Sequence, residues 1–321
     1  MFPLIVADIG GTNARFGLVQ ECTQAIHITE QHVFDCSQYD TFSHVLHAYL
    51  SLVPNFQPKN ICIAIAGPII GDSVKMTNLQ WAFSIKQIKQ QFELERFEVI
   101  NDFAAQALAV TQLHATDLIT IQPGELLATA PKTILGPGTG LGVASLVHTR
   151  QGWIALPGEG GHANFAPSSL LEIEIFKILR NAEQYVSLET LLCGNGLIRL
   201  HTALSEINGT ISKNTETLLP ADITKEALHD KKSISYKTLC VFCRVLGGAA
   251  GNIALTVGAR GGVYLTGGIL PRVSNILLES DFKESFNSKG VMQPYVEKIP
   301  AYLITHPQPA LLGAAAHMNN L

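Results

Sequence analysis

Hydrophobic and polar positions change their period several times along the 321-residue chain, and each change predicts an element. The chain opens on Phe2-Pro3-Leu4-Ile5-Val6-Ala7, an apolar run of strand length; a second covers Ala14 to Val19, with a third near His27 to Phe34. From Thr41 to Val53 the period becomes helical, because Phe42, Val45, Leu46, Tyr49, Leu50 and Val53 form one apolar stripe that can lie on a sheet. Asn60 to Ala66 is apolar without alternation, the pattern of a strand covered on both faces. Ser84 then offers an N-cap to a short helix, Phe97 to Ile100 reads as a strand, and an Ala-rich helix starts near Phe103. This is a β-meander followed by βαβ units.

The second part echoes the first. Lys132 to Leu135 and Leu141 to Val147 predict strands on either side of Gly136-Pro137-Gly138-Thr139-Gly140, with another near Trp153 to Leu156, and the echo points to duplication. Helical spacing then dominates over Leu170 to Leu179, Leu188 to Leu204 and Tyr236 to Val257. A strand over Gly262 to Thr266, another over Tyr302 to Thr305 and an Ala-rich helix over Ala310 to Met318 close the chain. This length favours two lobes over one core. No low-complexity linker separates them, so they join through ordered elements able to act as hinges.

Composition narrows the function classes. Hydrophobic residues at 47% and charged residues at 15% describe a globular chain rather than a disordered one. A formal net charge of -4 without a Lys/Arg cluster gives no field that would gather nucleic acid or anionic lipid. The six cysteines, at 22, 36, 62, 193, 240 and 243, lie scattered and partly inside apolar runs, which fits reduced thiols and a cytoplasmic location better than a disulfide framework. The opening segment lacks a basic region and a cleavable apolar stretch. The most membrane-like window, Leu246 to Leu270, is broken by glycines, Asn252 and Arg260 and reads as buried core. Cys240 and Cys243 form C-x-x-C inside a helical pattern without a second ligand pair, so helix packing outweighs metal or redox chemistry.

Two glycine turns carry candidate chemistry. Asp8-Ile9-Gly10-Gly11-Thr12-Asn13 sits between two strands, where glycines let bare amides approach phosphate oxygens; a plain hairpin turn is equally open on these residues alone. Asp8 favours the phosphate reading, since a carboxylate ending a strand beside such a turn can hold magnesium through water. Gly138-Thr139-Gly140 repeats the construction. Neither turn is a G-x-G-x-x-G opening a long helix, and no G-x-x-x-x-G-K precedes a Ser or Thr, so dinucleotide and Walker loops are excluded.

At this point the chain resembles a family. Asp8 to Thr12, Gly138-Thr139-Gly140 and Leu265-Thr266-Gly267-Gly268-Ile269 resemble the phosphate-1, phosphate-2 and adenosine segments of the actin/hexokinase superfamily, in that order. Ala66-Gly67-Pro68, Met76-Thr77-Asn78-Leu79-Gln80-Trp81, Ile100-Asn101-Asp102-Phe103 and Leu156-Pro157-Gly158-Glu159-Gly160-Gly161-His162 are similar to bacterial glucokinases, and the likeness spans nearly the whole chain. It implies an α/β, two-lobed actin/hexokinase-like (ribonuclease H-like) ATPase fold with a central cleft. The small lobe would take 1–112 plus 303–321 and the large lobe 113–302. The implied reaction is transfer of phosphate from ATP to the glucose 6-hydroxyl, the first step of glycolysis.

The resemblance also assigns residues. Asp102 matches the base that accepts the hydroxyl proton, and Asn101, Glu159, His162 and Glu189 match sugar ligands. Ala7, Asp8, Ile9, Gly10, Gly11, Thr12, Gly138, Thr139, Gly140, Gly267 and Gly268 match the ATP-binding segments, with Asp8 as the magnesium ligand. From the residues alone, Asn101-Asp102 reads as a helix N-cap, Glu189 as a solvated helix face, and Thr77-Asn78 as a loop that could equally border the sugar. The related ROK branch carries a C-x-C-G-x-x-G-C zinc cluster that is missing from this chain, so structural zinc is not expected. Membrane and nucleic-acid partners are not implied, and a homodimer is. Two alternatives stay open: another hexose as acceptor, and a sugar-sensing regulator without catalysis. The regulator would need a DNA-binding domain, and seven residues precede Asp8.

Overall fold

A computed structural model describes residues 2–21, 26–67, 69–76, 79–210 and 218–319, so Asn78, Thr77 and Pro68 lie outside the described residues. The chain divides into two compact units: 1–116 with 148–157 and 306–321, and 117–147 with 158–305.

The first unit is built on β1 (Leu4–Ile9), β2 (Asn13–Val19), β3 (Thr29–Asp35), α1 (Phe42–Leu52), β4 (Asn60–Ile65), a small sheet of β5 (Ile69–Ile70), β6 (Ser73–Lys75) and β7 (Ala82–Ser84), then α2 (Ile85–Gln91), β8 (Arg96–Asn101) and α3 (Asp102–Ala109). Its main sheet runs β3-β2-β1-β4-β8, with β2 antiparallel to β1, and β4 and β8 parallel to it. The unbroken apolar runs of β1 and β4 have a simple cause. Ile5, Ala7, Ile9, Ile61, Ile63 and Ile65 pack on the stripe of α1 at Phe42, Val45, Leu46 and Tyr49. Their alternating neighbours Leu4, Val6 and Cys62 pack on the opposite face against Leu311, Ala314, Ala315 and Met318.

The second unit comprises β9 (Leu118–Gln122), β10 (Lys132–Pro137), β11 (Leu141–Thr149), β12 (Gly152–Gly158), α4 (Leu170–Ala182), α5 (Leu188–Leu191), α6 (Gly194–Ile207), α7 (Pro220–His229), α8 (Ile234–Val257), β13 (Val263–Leu265), α9 (Ser274–Glu279), α10 (Phe282–Asn287), α11 (Gln293–Val296) and β14 (Ala301–Ile304), the outer part of the β11–β12 hairpin being counted with the first unit. The last helix, α12 (Pro309–Asn319), returns to the first unit. The second sheet runs β12-β11-β10-β13-β14-β9, so the echo heard in the sequence is topological: each sheet has a hairpin on its first strand and two parallel strands on the other side. Helix α8 is long and apolar enough to cross a membrane by length and composition alone, and over half of its most apolar window is buried inside the unit.

One expected element breaks in two. The apolar spacing over Leu188 to Leu204 predicts a single helix, yet α5 ends at Leu191 and α6 starts at Gly194. Cys193 is extended, with φ -149° and ψ 179°, and its Sγ accepts the Gly196 N–H at 3.3 Å, doing the work usually given to Ser or Asp. Short elements such as β9, α7 and α9 to α11 have no counterpart in the sequence pattern.

Helix α12 sits on α3 so closely that a Cβ built on Gly313 would overlap the Ala105 carbonyl. Replacing glycine by alanine inside a helix normally gains about 1 kcal/mol. Here overlap with backbone should reverse the sign: Gly313→Ala is expected to cost about 2 kcal/mol net and lower the Tm by roughly 5 °C. A calorimetric Tm equal to or above that of the parent protein contradicts this packing.

Candidate functional site

In the first unit, parallel strands end side by side. Ile9 of β1 pairs in register with Ile65 of β4, and Ile65 with Asn101 of β8, so the turn after β1 and the start of α3 stand about 10 Å apart, two strand spacings along one sheet edge. That is the carboxyl edge of the parallel strands, where α/β folds place ligands.

The turn itself closes through the Gly10 N–H donating to the Asn13 carbonyl at 2.9 Å, and the Cys36 N–H donates to the Thr12 carbonyl at 2.8 Å. Asp8 lies one residue inside the strand end. Hairpin register sets Arg15 directly opposite it, and Arg15 Nη1 approaches Asp8 Oδ2 at 3.3 Å. Burial pushes the Asp8 carboxyl above its ordinary value, while the guanidinium charge and hydrogen bond pull it down. Sequence reasoning missed Arg15; counting the hairpin register outward from the Ile9–Ala14 pair would have found it.

At the other end of the edge, Asn101 serves the bland role read from the sequence. Its Oδ1 accepts the N–H groups of Phe103 at 2.9 Å and Ala104 at 3.1 Å, capping α3. The amide nitrogen of Asn101 stays outside that cap. Asp102 Oδ1 also accepts the Phe103 N–H, at 2.9 Å, which fixes the carboxyl in the first turn of α3, where the helix dipole favours negative charge.

In the second unit the other set of residues gathers around the Gly138–Gly140 turn. Gly138 N–H donates to the Gly140 carbonyl at 2.8 Å, and the Gly138 carbonyl accepts the Gly194 N–H at 2.9 Å from the start of α6. The segment after β13 leans on the same turn: Thr266 N–H donates to the Leu135 carbonyl at 2.8 Å, and Gly267, at φ +93°, leaves no room for a Cβ beside the Pro137 carbonyl. Gly138, Thr139, Gly140, Gly267 and Gly268 are thus one neighbourhood.

Glu189 joins that neighbourhood to His162. Its Oε2 accepts the Leu141 N–H at 2.7 Å, and its Oε1 stands 4.0 Å from His162 Nε2. A Cβ at Gly140 would stand 2.5 Å from Glu189 Oε2, so a side chain there would displace the carboxylate from this position. The solvated-face reading of Glu189 therefore gives way to a carboxylate anchored on a backbone amide. The His162 carbonyl accepts the Tyr185 hydroxyl at 2.8 Å, and the His162 N–H donates to the Glu159 carbonyl at 3.0 Å, holding both in one short turn. The Glu159 side chain makes no capping bond and is exposed. Tyr185 and Cys193 are supporting residues without a motif of their own; nothing in the sequence marks them.

A charge-assisted bond such as that from Leu141 to Glu189 is worth about 1.5–3 kcal/mol. In Glu189→Ala, amide exchange at Leu141 should accelerate at least roughly tenfold, with exchange in β1 unchanged. Equal protection in the two proteins would remove Glu189 from its place as anchor of the turn.

Comparison with known proteins adds the following. The family model described as Glucokinase matches residues 5–321. A glucokinase of Saccharophagus degradans is 44% identical over 322 residues, covering 100% of this chain and 99% of that protein. Among solved structures, a glucokinase from an Antarctic psychrotroph superposes with a TM-score of 0.93 at 40% identity, covering 100% of both chains. A ROK-family glucokinase from Streptomyces griseus, solved with glucose and AMPPNP, shares the fold with a TM-score of 0.63 at 18% identity, covering 98% of both chains.

Proposed function

Because the chain belongs to the glucokinase family, we propose that Asp102 is the base of a glucose phosphorylation driven by ATP. The overall reaction is glucose plus ATP giving glucose 6-phosphate and ADP. The glucose 6-hydroxyl attacks the γ-phosphorus, the bond to the ADP oxygen breaks, and Asp102 takes the hydroxyl proton. The observation that carries this reading is the position of Asp102: the first turn of a helix at the carboxyl edge of the sheet, two strands from the glycine turn that ends in Thr12.

Roles for the remaining residues follow from their chemistry. Glycine turns expose amides to phosphate oxygens, which suits 10–12 and 138–140 for the triphosphate, with 267–268 beside the second turn for the nucleoside. Asn101 can present its amide nitrogen to a sugar oxygen while its Oδ1 caps α3. Glu159, His162 and Glu189 supply acceptors and donors for sugar hydroxyls, with Glu189 anchored on the Leu141 amide, and an unmatched partner costs about 1–3 kcal/mol. Asn78 is kept as a sugar contact on the resemblance alone, since it lies outside the described residues.

Magnesium fits the chemistry at Asp8. This ion is held by one or two carboxylates plus substrate phosphates. Asp8 is the carboxylate of the phosphate turn, and among the described residues no group of three His, Cys, Asp or Glu gathers to hold a metal by protein ligands alone. When bound, it offsets the charge of the phosphate oxygens. We place the enzyme in the cytoplasm, where ATP is formed and thiols stay reduced; Cys36, Cys62, Cys193, Cys240 and Cys243 are all free. The homodimer rests on family resemblance, and light scattering reads it.

A coupled assay with glucose and magnesium-ATP tests the activity. Asp102→Ala should lower kcat by about 10²–10⁴-fold, the usual share of a positioned base. Glucose affinity by calorimetry should stay within twofold in the same variant. Parent-like turnover in Asp102→Ala would remove the carboxylate from the reaction.

A further inference from the structure

The second unit contains a cavity of about 250 Å³ that none of the roles above uses. It is smaller than the roughly 300–1,000 Å³ that drug-sized ligands occupy, so it suits a molecule of a few carbons. Its polar wall comes from Ser168, Asn252, Ser285, Ser288 and Lys289, and its apolar wall from Phe165 and Leu188 among others.

Lys289 is the one cation among the lining residues. Its Nζ donates to the Gly248 carbonyl at 3.0 Å, a neutral acceptor that takes one of three ammonium hydrogens. Burial pulls its pKa below the ordinary lysine value, with Glu172 pushing the other way. Glu172, also in the wall, is already engaged. Its Oε2 accepts the Ser168 N–H at 2.6 Å and the Ser168 hydroxyl at 3.0 Å, and its Oε1 accepts Arg244 Nε at 3.1 Å. Arg244 is shared in turn with the exposed Asp281 and Glu284. The carboxylate of the cavity is therefore held by closer partners, while its ammonium, bonded to one neutral carbonyl and within range of the Glu172 charge, shares the lining with the hydroxyls of Ser168, Ser285 and Ser288 and the Asn252 amide.

We infer that this cavity binds a small hydroxylated anion, a phosphate ester or hydroxy acid of three or four carbons, with Lys289 on the charge and Asn252, Ser285 and Ser288 on the hydroxyls. The apolar wall links it to the residues assigned to glucose. Phe165 N–H donates to the Val186 carbonyl at 3.0 Å and Leu188 N–H to the Ala163 carbonyl at 2.9 Å, with Asn164 and Ser187 paired between them. That bridged pair of segments carries His162 two residues before Asn164 and Glu189 two residues after Ser187. A ligand that fixes the wall shifts glucose affinity, and by linkage glucose shifts the affinity of the ligand by the same factor. Only this coupling rests on the proposed glucose roles; the binding site does not.

Calorimetric titration of the full chain with glycerol 3-phosphate, with malate and with neutral glycerol tests the site. One or both anions should bind and glycerol should not; preference for the ester or the acid identifies the source. Lys289→Met should weaken binding at least tenfold while kcat without anion stays within twofold of the parent. Asn252→Leu, which keeps the bond from Lys289 to Gly248, carries the same comparison should Lys289→Met not fold. Absence of binding by both anions to the parent protein, or undiminished binding by the folded variants, overturns the site. At saturating anion the glucose KM should change at least twofold in the parent and not in Lys289→Met; an unchanged KM overturns the coupling. Calorimetry decides the site even for a protein without glucose turnover.

Discussion

A strand covered on both faces can offer polar groups only at its ends, and the first unit is organised by that constraint. β1 and β4 lie between the stripe of α1 and the apolar face of α12, with no wet face along their length. A polar side chain in mid-strand would meet hydrocarbon, at a cost of a few kcal/mol. Polar groups are thereby displaced to the carboxyl edge, where β1 passes into a glycine turn and β8 passes into α3. Parallel pairing then keeps these ends together, because strands in register that start together also stop together.

In the second unit backbone geometry plays the corresponding part. The Gly138–Gly140 turn has few side chains of its own and is shaped from outside: by the start of α6, by the segment after β13, and by the Glu189 carboxylate on the Leu141 amide. Side chains proposed for ligand contact are also part of the framework here. Glu189 belongs to a four-residue helix whose capping box, Ser187 with Thr190, fixes where the carboxylate points. Asn101, proposed as a sugar ligand, likewise has one end of its amide closing a helix in the first unit.

How much of this could be read beforehand depended on the physics of each element. β1, α1 and β4 were legible because burial writes a strong pattern, either an unbroken run or a stripe of period 3.6. The doubled arrangement of hairpin and parallel strands was legible through its two glycine turns. The break between α5 and α6 was not, since Leu191, Leu192 and Cys193 continue an apolar pattern and the cap is a thiol rather than a hydroxyl or carboxylate. Helices α9 to α11 span six, six and four residues, too short for any periodicity to emerge. The candidate site divided in the same way: the glycine turns stood out, Asn101-Asp102 did so only through the family resemblance, and Arg15 was within reach of a register count along the hairpin, whereas Tyr185 and the Lys289 cavity exist only through contacts between distant segments.

Arg15 has one further consequence. Burial alone would favour the neutral form of Asp8, and a neutral carboxyl is a poor partner for any metal. The guanidinium opposite gives Asp8 a positive neighbour, yet the pair is part-exposed, with 37% of the arginine side chain open to water, and such pairs hold by under about 1 kcal/mol. Arg15 thus works against the burial that favours a neutral Asp8 without cancelling it, and under the proposed magnesium role it is the neighbour that would give way at small cost.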